Sequence, residues 1–227
     1  MQSTAITENI KNIKNELASG NAFGEKVFLV AATKMQTAEA VNEAIVAGVD
    51  AVAENKPQEF RDKENLLLPC RKHFIGHLQT NKIKYIVGKV DLIHSCDRDD
   101  LAEEIAKFSI KKGVVSNILI QINIGAEESK GGYSYAEAEE VLRRLAATDG
   151  LCVKGFMAML PETDDEVLLR SLVKKMRQLF DWAKKECTTI EFLSMGMSGD
   201  YALCIEEGSN MIRVGSTIFG HRDYSVQ

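Results

Sequence analysis

NILIQINI (117–124) places Ile118, Ile120, Ile122 and Ile124 on one side of an extended chain and Leu119, Gln121 and Asn123 on the other. One apolar face for covering helices and one polar-tipped face for an interior is the pattern of a barrel strand with a site at its C-terminal mouth. An edge strand would alternate in the same way, so the neighbouring segments must decide. Outward from this run, seven further segments read as buried strands: VFLVAA (27–32), VDAVAE (49–54), HFIGH (73–77), VDLIHS (90–95), CVKGFMAM (152–159), IEFLSMG (190–196) and NMIRVG (210–215). Helical periodicity fills the gaps. Thr37 caps a helix with Ala40, Val41, Ala44 and Ile45 inward, and others are predicted near 57–67, near 80–87, and at 98–112, 135–147 and 164–186.

Strands alternating with helices imply parallel pairing. Eight such units within 227 residues, with no composition break, fit a single (β/α)8 barrel domain over 1–227. A doubly wound sheet competes, because periodicity does not see closure. The stripe Ile6, Ile10, Ile13 and Leu17, punctuated by Gly20 and Gly24, predicts an extra N-terminal helix and lead-in over 1–24.

Composition narrows the class. With 45% hydrophobic and 27% charged residues the chain is neither disordered nor collagen-like. A net charge of −5 argues against a nucleic-acid partner. No apolar run approaches the ~18 residues that cross a membrane, and the N-terminus has no secretory pattern. Five scattered cysteines without a CxxC pair suit a reducing cytoplasm.

In a barrel of this kind chemistry sits where strands run into loops. Those ends carry Thr33 and Lys34, Glu54 and Asn55, His77, His94, Gln121 and Asn123, Met157 and Met159, SMGMSG (194–199) and RVGS (213–216). Lys34 follows six apolar residues. It either leaves the core for water or stands at the mouth as an amine able to form a Schiff base with an aldehyde. Arg213 lies inside a strand, where a guanidinium needs a partner. With Ile212 and Val214 facing helices, it points inward toward Lys34. A structural carboxylate is the alternative partner, yet no strand interior supplies one, and Asp91 begins its strand at the opposite end. The glycine turns at 194–199 and 215–216, with the Ser198 and Ser216 hydroxyls, are either plain tight turns or a cradle for a phosphate dianion.

His77, His94 and Cys96 lack the ligand set of a zinc site and read as hydrogen-bonded residues, with His77 lining the pocket. Met195 adjoins the second-last turn and is placed to pack on a ring. The basic stretch 174–185 reads as a solvated helix face. A lysine for an aldehyde, an arginine for a ring nitrogen and a phosphate cup describe pyridoxal 5′-phosphate (PLP). Three functions stay open on these residues: a PLP-binding carrier, a PLP-dependent racemase-like enzyme, and a sugar-phosphate enzyme using Lys34 as an aldolase-type amine.

HFIGHLQTNKIKY (73–85), DLIHS (91–95), ESKGG (128–132), LSMGMSGDY (193–201) and EEGSNMIRVGSTIFGHRDY (206–224) closely resemble the pyridoxal phosphate homeostasis proteins, the YggS/PROSC family. The resemblance runs from about residue 27 to residue 224. It implies a barrel similar to the N-terminal domain of the alanine racemases, without their second domain. It also implies an internal aldimine on Lys34, Arg213 at the pyridine nitrogen, and Ser198, Gly199, Gly215 and Ser216 around the phosphate. Asn55, His77, Ser194 and Met195 complete the expected cofactor-binding set, with no catalytic residue and no metal. Members of the family are regarded as buffers or carriers of the cofactor without established turnover. The expected protein is therefore a cytoplasmic monomer whose partners are PLP and apo-enzymes that accept it. The chain departs from the family pattern at Thr33, usually Ser, at Met35, usually polar, and at ENKPQE (54–59), where Lys56 replaces a tyrosine.

Overall fold

A computed structural model describes residues 4–127 and 129–220. Eight parallel strands run in chain order around a closed barrel: β1 (Phe28–Ala32), β2 (Ala51–Glu54), β3 (Lys72–Phe74), β4 (Leu92–Cys96), β5 (Ser116–Ile122), β6 (Leu151–Ala158), β7 (Phe192–Ser194) and β8 (Met211–Val214). Closure is made by β1 against β8, where Phe28 faces Met211 and Val30 faces Arg213. The open-sheet alternative is excluded by this pairing.

The alternation read in 117–124 is realised. Ile118, Ile120, Ile122 and Ile124 lie in the layer under the helices, and Leu119 meets Val30, Ala51, Ala53, Leu92, Met157, Phe192 and Met211 inside the barrel. Gln121 and Asn123 serve the following loop. Gln121 Nε2 donates to the Gly131 carbonyl at 2.8 Å, and Asn123 Nδ2 donates to the carbonyls of Glu127 at 2.8 Å and Lys130 at 2.9 Å. Their polar tips thus hold a loop in place at the mouth.

The outer layer begins with α1 (Ala5–Glu16) and continues with α2 (Ala38–Val46), α3 (Pro57–Lys63), α4 (Asp99–Lys112), α5 (Ala138–Ala146), α6 (Glu166–Glu186), α7 (Tyr201–Glu206) and α8 (Ser216–Phe219). The last helix is too short to cover the β8–β1 seam. Ile10 and Ile13 of α1, with Leu17 just beyond it, do so instead, packing on Leu29, Ala31, Ile212 and Val214. The extra N-terminal helix therefore completes the outer layer where the eighth unit is stunted. Two expectations need correction. The segment near 80–87 is a 3-10 helix, Thr80–Tyr85, and α7 was not foreseen. A six-residue helix has less than two turns and shows no readable period. His221 to Tyr224 and Glu128, which carry part of the family resemblance, lie outside the described residues.

The register between β5 and β6 slips by one residue. Ile118 faces Val153 and Leu119 faces Gly155, leaving Lys154 bulged between them. Gly155 sits at φ +140°, and a Cβ there would fall 1.8 Å from the carbonyl oxygen of Phe192. Both conditions demand glycine. Gly155→Ala is expected to destabilise the fold by about 3 kcal/mol or more. Urea denaturation measures this, and an unchanged midpoint would show that β6 and β7 can separate without loss.

Candidate functional site

At the C-terminal mouth, Ala32, Lys34, Asn55, Ile75, Met197, Ser198, Gly199, Arg213, Gly215 and Ser216 enclose a cavity of about 490 Å³. That is the size of a small-molecule site. Of the expected residues, Lys34, Asn55, Ser198, Gly199, Arg213, Gly215 and Ser216 line it together, and Ser194 stands behind Arg213.

Met195 and His77 are placed elsewhere. Side chains alternate along a strand, so Met195, adjoining inward-facing Ser194, turns outward into the core beneath the helices. The ring-packing expectation for Met195 is therefore corrected. His77 is largely exposed, and its Nδ1 lies 3.2 Å from Asp97 Oδ2 rather than on the cavity. No group of three or more metal-ligating side chains occurs among the described residues.

The Lys34 turn is anchored from beneath by the strand-end residues Thr33 and Glu54 together with Lys63 and Glu59, which sequence reading missed. Lys63 of α3 forms a buried ion pair with Glu54 and donates to the carbonyls of Thr33 and Gln36, each at 3.1 Å. Thr33 Oγ1 donates to Glu54 Oε1 at 2.7 Å. Met35 is held at φ +61°, uncommon without glycine, with its amide donating to Glu59 Oε2 at 2.8 Å. Glu59 and Lys63 sit four apart on one helix face, the signal that could have flagged them. Gly76 lets the chain after β3 approach this region: a Cβ there would lie 1.9 Å from the Asn55 carbonyl oxygen. The substituted residues in ENKPQE are also explained. Pro57 opens α3 at a position suited to proline, and Lys56 is directed outward to Glu59, 3.5 Å away.

Across the cavity, Arg213 is 5% exposed and has no carboxylate within ion-pair distance among the described residues. Its Nη1 donates to the Ser194 carbonyl at 2.8 Å and to Ser194 Oγ at 2.7 Å, and its Nη2 to the Ala158 carbonyl at 3.2 Å. Burial lowers its pKa to about 10, which still leaves a full cation at neutral pH. The turns after β7 and β8 are tied by Ser198 Oγ, which accepts from the amides of Gly215 at 3.2 Å and Thr217 at 3.4 Å. Having accepted twice, that hydroxyl keeps its own hydrogen to donate. The cavity thus offers an amine on one side, an uncompensated guanidinium on another, and hydroxyl and glycine-turn donors on a third.

Behind Arg213, His94 Nδ1 lies 3.1 Å from Ser194 Oγ, and His94 Nε2 lies 3.0 Å from His73 Nδ1. Burial pushes the His73 pKa down to about 4. Burial, helped by the neighbouring His73 and by the Arg213 charge, holds His94 well below the ordinary range. Both are therefore neutral in the folded protein, and the unfolded chain takes up protons first as pH falls below ~6.5. Their contribution is complete above ~6.5 and declines toward pH 4, by about 3 kcal/mol for His73 alone. Denaturation at pH 7 and pH 5, above most carboxylate titration, should show stability falling with pH. A flat profile in that window would mean that these histidines are solvated.

Residues 1–223 match the family described as "Alanine racemase, N-terminal domain". A pyridoxal phosphate homeostasis protein of Aquifex aeolicus (strain VF5) is 39% identical over 199 residues, covering 86% of this chain and 87% of that protein. The structure of PipY from Synechococcus elongatus PCC7942, with PLP bound, has a TM-score of 0.82 at 29% identity, covering 95% of this chain and 100% of PipY. An alanine racemase of Clostridium difficile 630 shares the fold, with a TM-score of 0.76 at 14% identity. The match covers 97% of this chain and 60% of the racemase.

Proposed function

This chain belongs to the alanine racemase N-terminal domain family and, within it, to the pyridoxal phosphate homeostasis proteins, and we propose on that footing that it holds PLP through Lys34 and passes it to other proteins. The observation that carries this reading is Arg213, a buried cation with no carboxylate within ion-pair distance among the described residues, across one cavity from a lysine amine. A carboxylate partner would have explained the arginine structurally. Without one, the guanidinium is left to serve an acceptor in the cavity, and an unprotonated ring nitrogen is such an acceptor.

The donor set fits the cofactor. Lys34 would supply the amine that holds the aldehyde, and Arg213 would donate toward the pyridine nitrogen. Ser198, Ser216 and the Gly199 and Gly215 turns receive the phosphate. Asn55 lines the same cavity, and Ser194 Oγ accepts from Arg213 Nη1. When bound, PLP supplies a reversible imine and a potential electron sink. Arg213, protonated at neutral pH, would keep the ring nitrogen from carrying a proton and would weaken that sink. No helix among the described residues is long and apolar enough to cross a membrane. We place the protein in the cytoplasm as a monomer, with PLP-dependent apo-enzymes as its acceptors.

The racemase-like alternative needs acid and base groups on both faces of the substrate's alpha carbon. Among the described residues lining the cavity, Lys34 and Arg213 are the ionisable ones, and Arg213 does not give up its proton at neutral pH. An aldolase-type use of Lys34 gives the buried arginine no task.

Borohydride reduction of the PLP-loaded protein is expected to fix a pyridoxyl group on the Lys34 peptide, and Lys34→Ala should abolish the visible imine band. A full band in that variant would move the attachment site elsewhere. Amino-acid alpha-deuterium exchange, followed for hours with excess protein, should be negligible. Rapid exchange that disappears in Lys34→Ala would establish an enzyme instead.

A further inference from the structure

The hydrogen bonds behind Arg213 can be satisfied in only one direction. Ser194 Oγ accepts from Arg213 Nη1 at 2.7 Å, and Ser194 is fully buried. Its single hydroxyl hydrogen then has one acceptor among the described residues, His94 Nδ1 at 3.1 Å. His94 is also fully buried and neutral, so an unprotonated Nδ1 requires the hydrogen on Nε2. That nitrogen donates to His73 Nδ1 at 3.0 Å, which must likewise be unprotonated. His73 consequently carries its hydrogen on Nε2. The reverse order would give His94 Nδ1–H to Ser194 and leave the serine hydrogen without an acceptor in a sealed site. It would also aim an N–H dipole at the cation instead of away from it.

The chain ends at the opposite mouth. His73 is 5% exposed and borders a second cavity, of about 240 Å³, at the N-terminal end of the barrel. His73 Nε2 has no hydrogen-bond partner among the described residues. The charged groups around it there are Asp50, Asp91 and Glu191 on one side of the ledger of charge, and Arg71 and Lys154 on the other. Resting on the PLP reading only for its consequence, we propose that Ser194, His94 and His73 are positioning residues. They form a one-directional relay that aims the Arg213 guanidinium into the upper cavity and disperses its charge toward the lower one. A substitution at His73, on the far side of the barrel, is then felt at Arg213.

The relay is read first in the full chain without added ligand, by nitrogen-15 NMR of labelled histidines. His73 and His94 should both show an unprotonated Nδ1 and a protonated Nε2. A protonated Nδ1 on His94 would overturn the proposal. The second measurement compares His73→Leu, which ends the chain early, with His73→Asn, whose amide oxygen can still accept from His94. His73→Leu should shift the Arg213 guanidinium resonances and weaken PLP retention by about three- to tenfold, and His73→Asn should recover most of both. A folded His73→Leu protein with unchanged arginine resonances and unchanged retention would also overturn it. If the wild-type protein failed to bind PLP, the cofactor reading would fall, and the nitrogen shifts and arginine resonances would still decide the relay.

Discussion

Pairing of β1 with β8 is the constraint on which the rest depends. It sets Val30 beside Arg213 and brings the Lys34 turn, which follows β1, to the same mouth as the turns after β7 and β8. Closure also removes every sheet edge, so each strand has one face inside and one face under helices. Arg213 faces inward because Ile212 and Val214 are taken by the layer that α1 covers. A barrel one unit short in its outer layer would expose that seam, and α1 supplies the missing cover.

Burying a guanidinium inside such a barrel is costly unless its donors are satisfied. Here two carbonyls and a serine hydroxyl take that role in place of a carboxylate. Neutral acceptors satisfy hydrogen bonds without neutralising charge, so the site retains a positive potential. Burial keeps His94 and His73 neutral, and at His94 the Arg213 charge acts in the same direction. The polar interior of the barrel is therefore a single electrostatic unit.

Much of the polar sequence at the mouth works on backbone geometry. Gln121 and Asn123 hold the loop after β5, and Lys63 with Glu54 holds the turn bearing Lys34. Rigid loops of this kind keep an amine, a guanidinium and anion donors at fixed separations, which lowers the ordering cost when a ligand binds. Met35, held in a left-handed conformation beside Lys34, shows backbone strain concentrated at that turn.

The sequence by itself determined the eight strands, the inward direction of Arg213 and the strand-end residues that meet at the mouth. Those features follow from a side-chain period of two and from the burial of parallel strands, which are local properties. Ile118 and Leu119 could be assigned to opposite faces because adjacent residues on a strand cannot share one. Closure of the barrel was decided only by the tertiary structure, since alternation is identical in open and closed sheets. So was which of the neighbours Ser194 and Met195 faces inward, where Ser194 meets Arg213 and Met195 joins the core beneath the helices. The pairs Lys63 with Glu54, His94 with His73, and Ser194 with His94 join residues 9, 21 and 100 positions apart. No periodicity connects such residues; a closed ring of strands brings them together because its interior is small enough for opposite walls to touch.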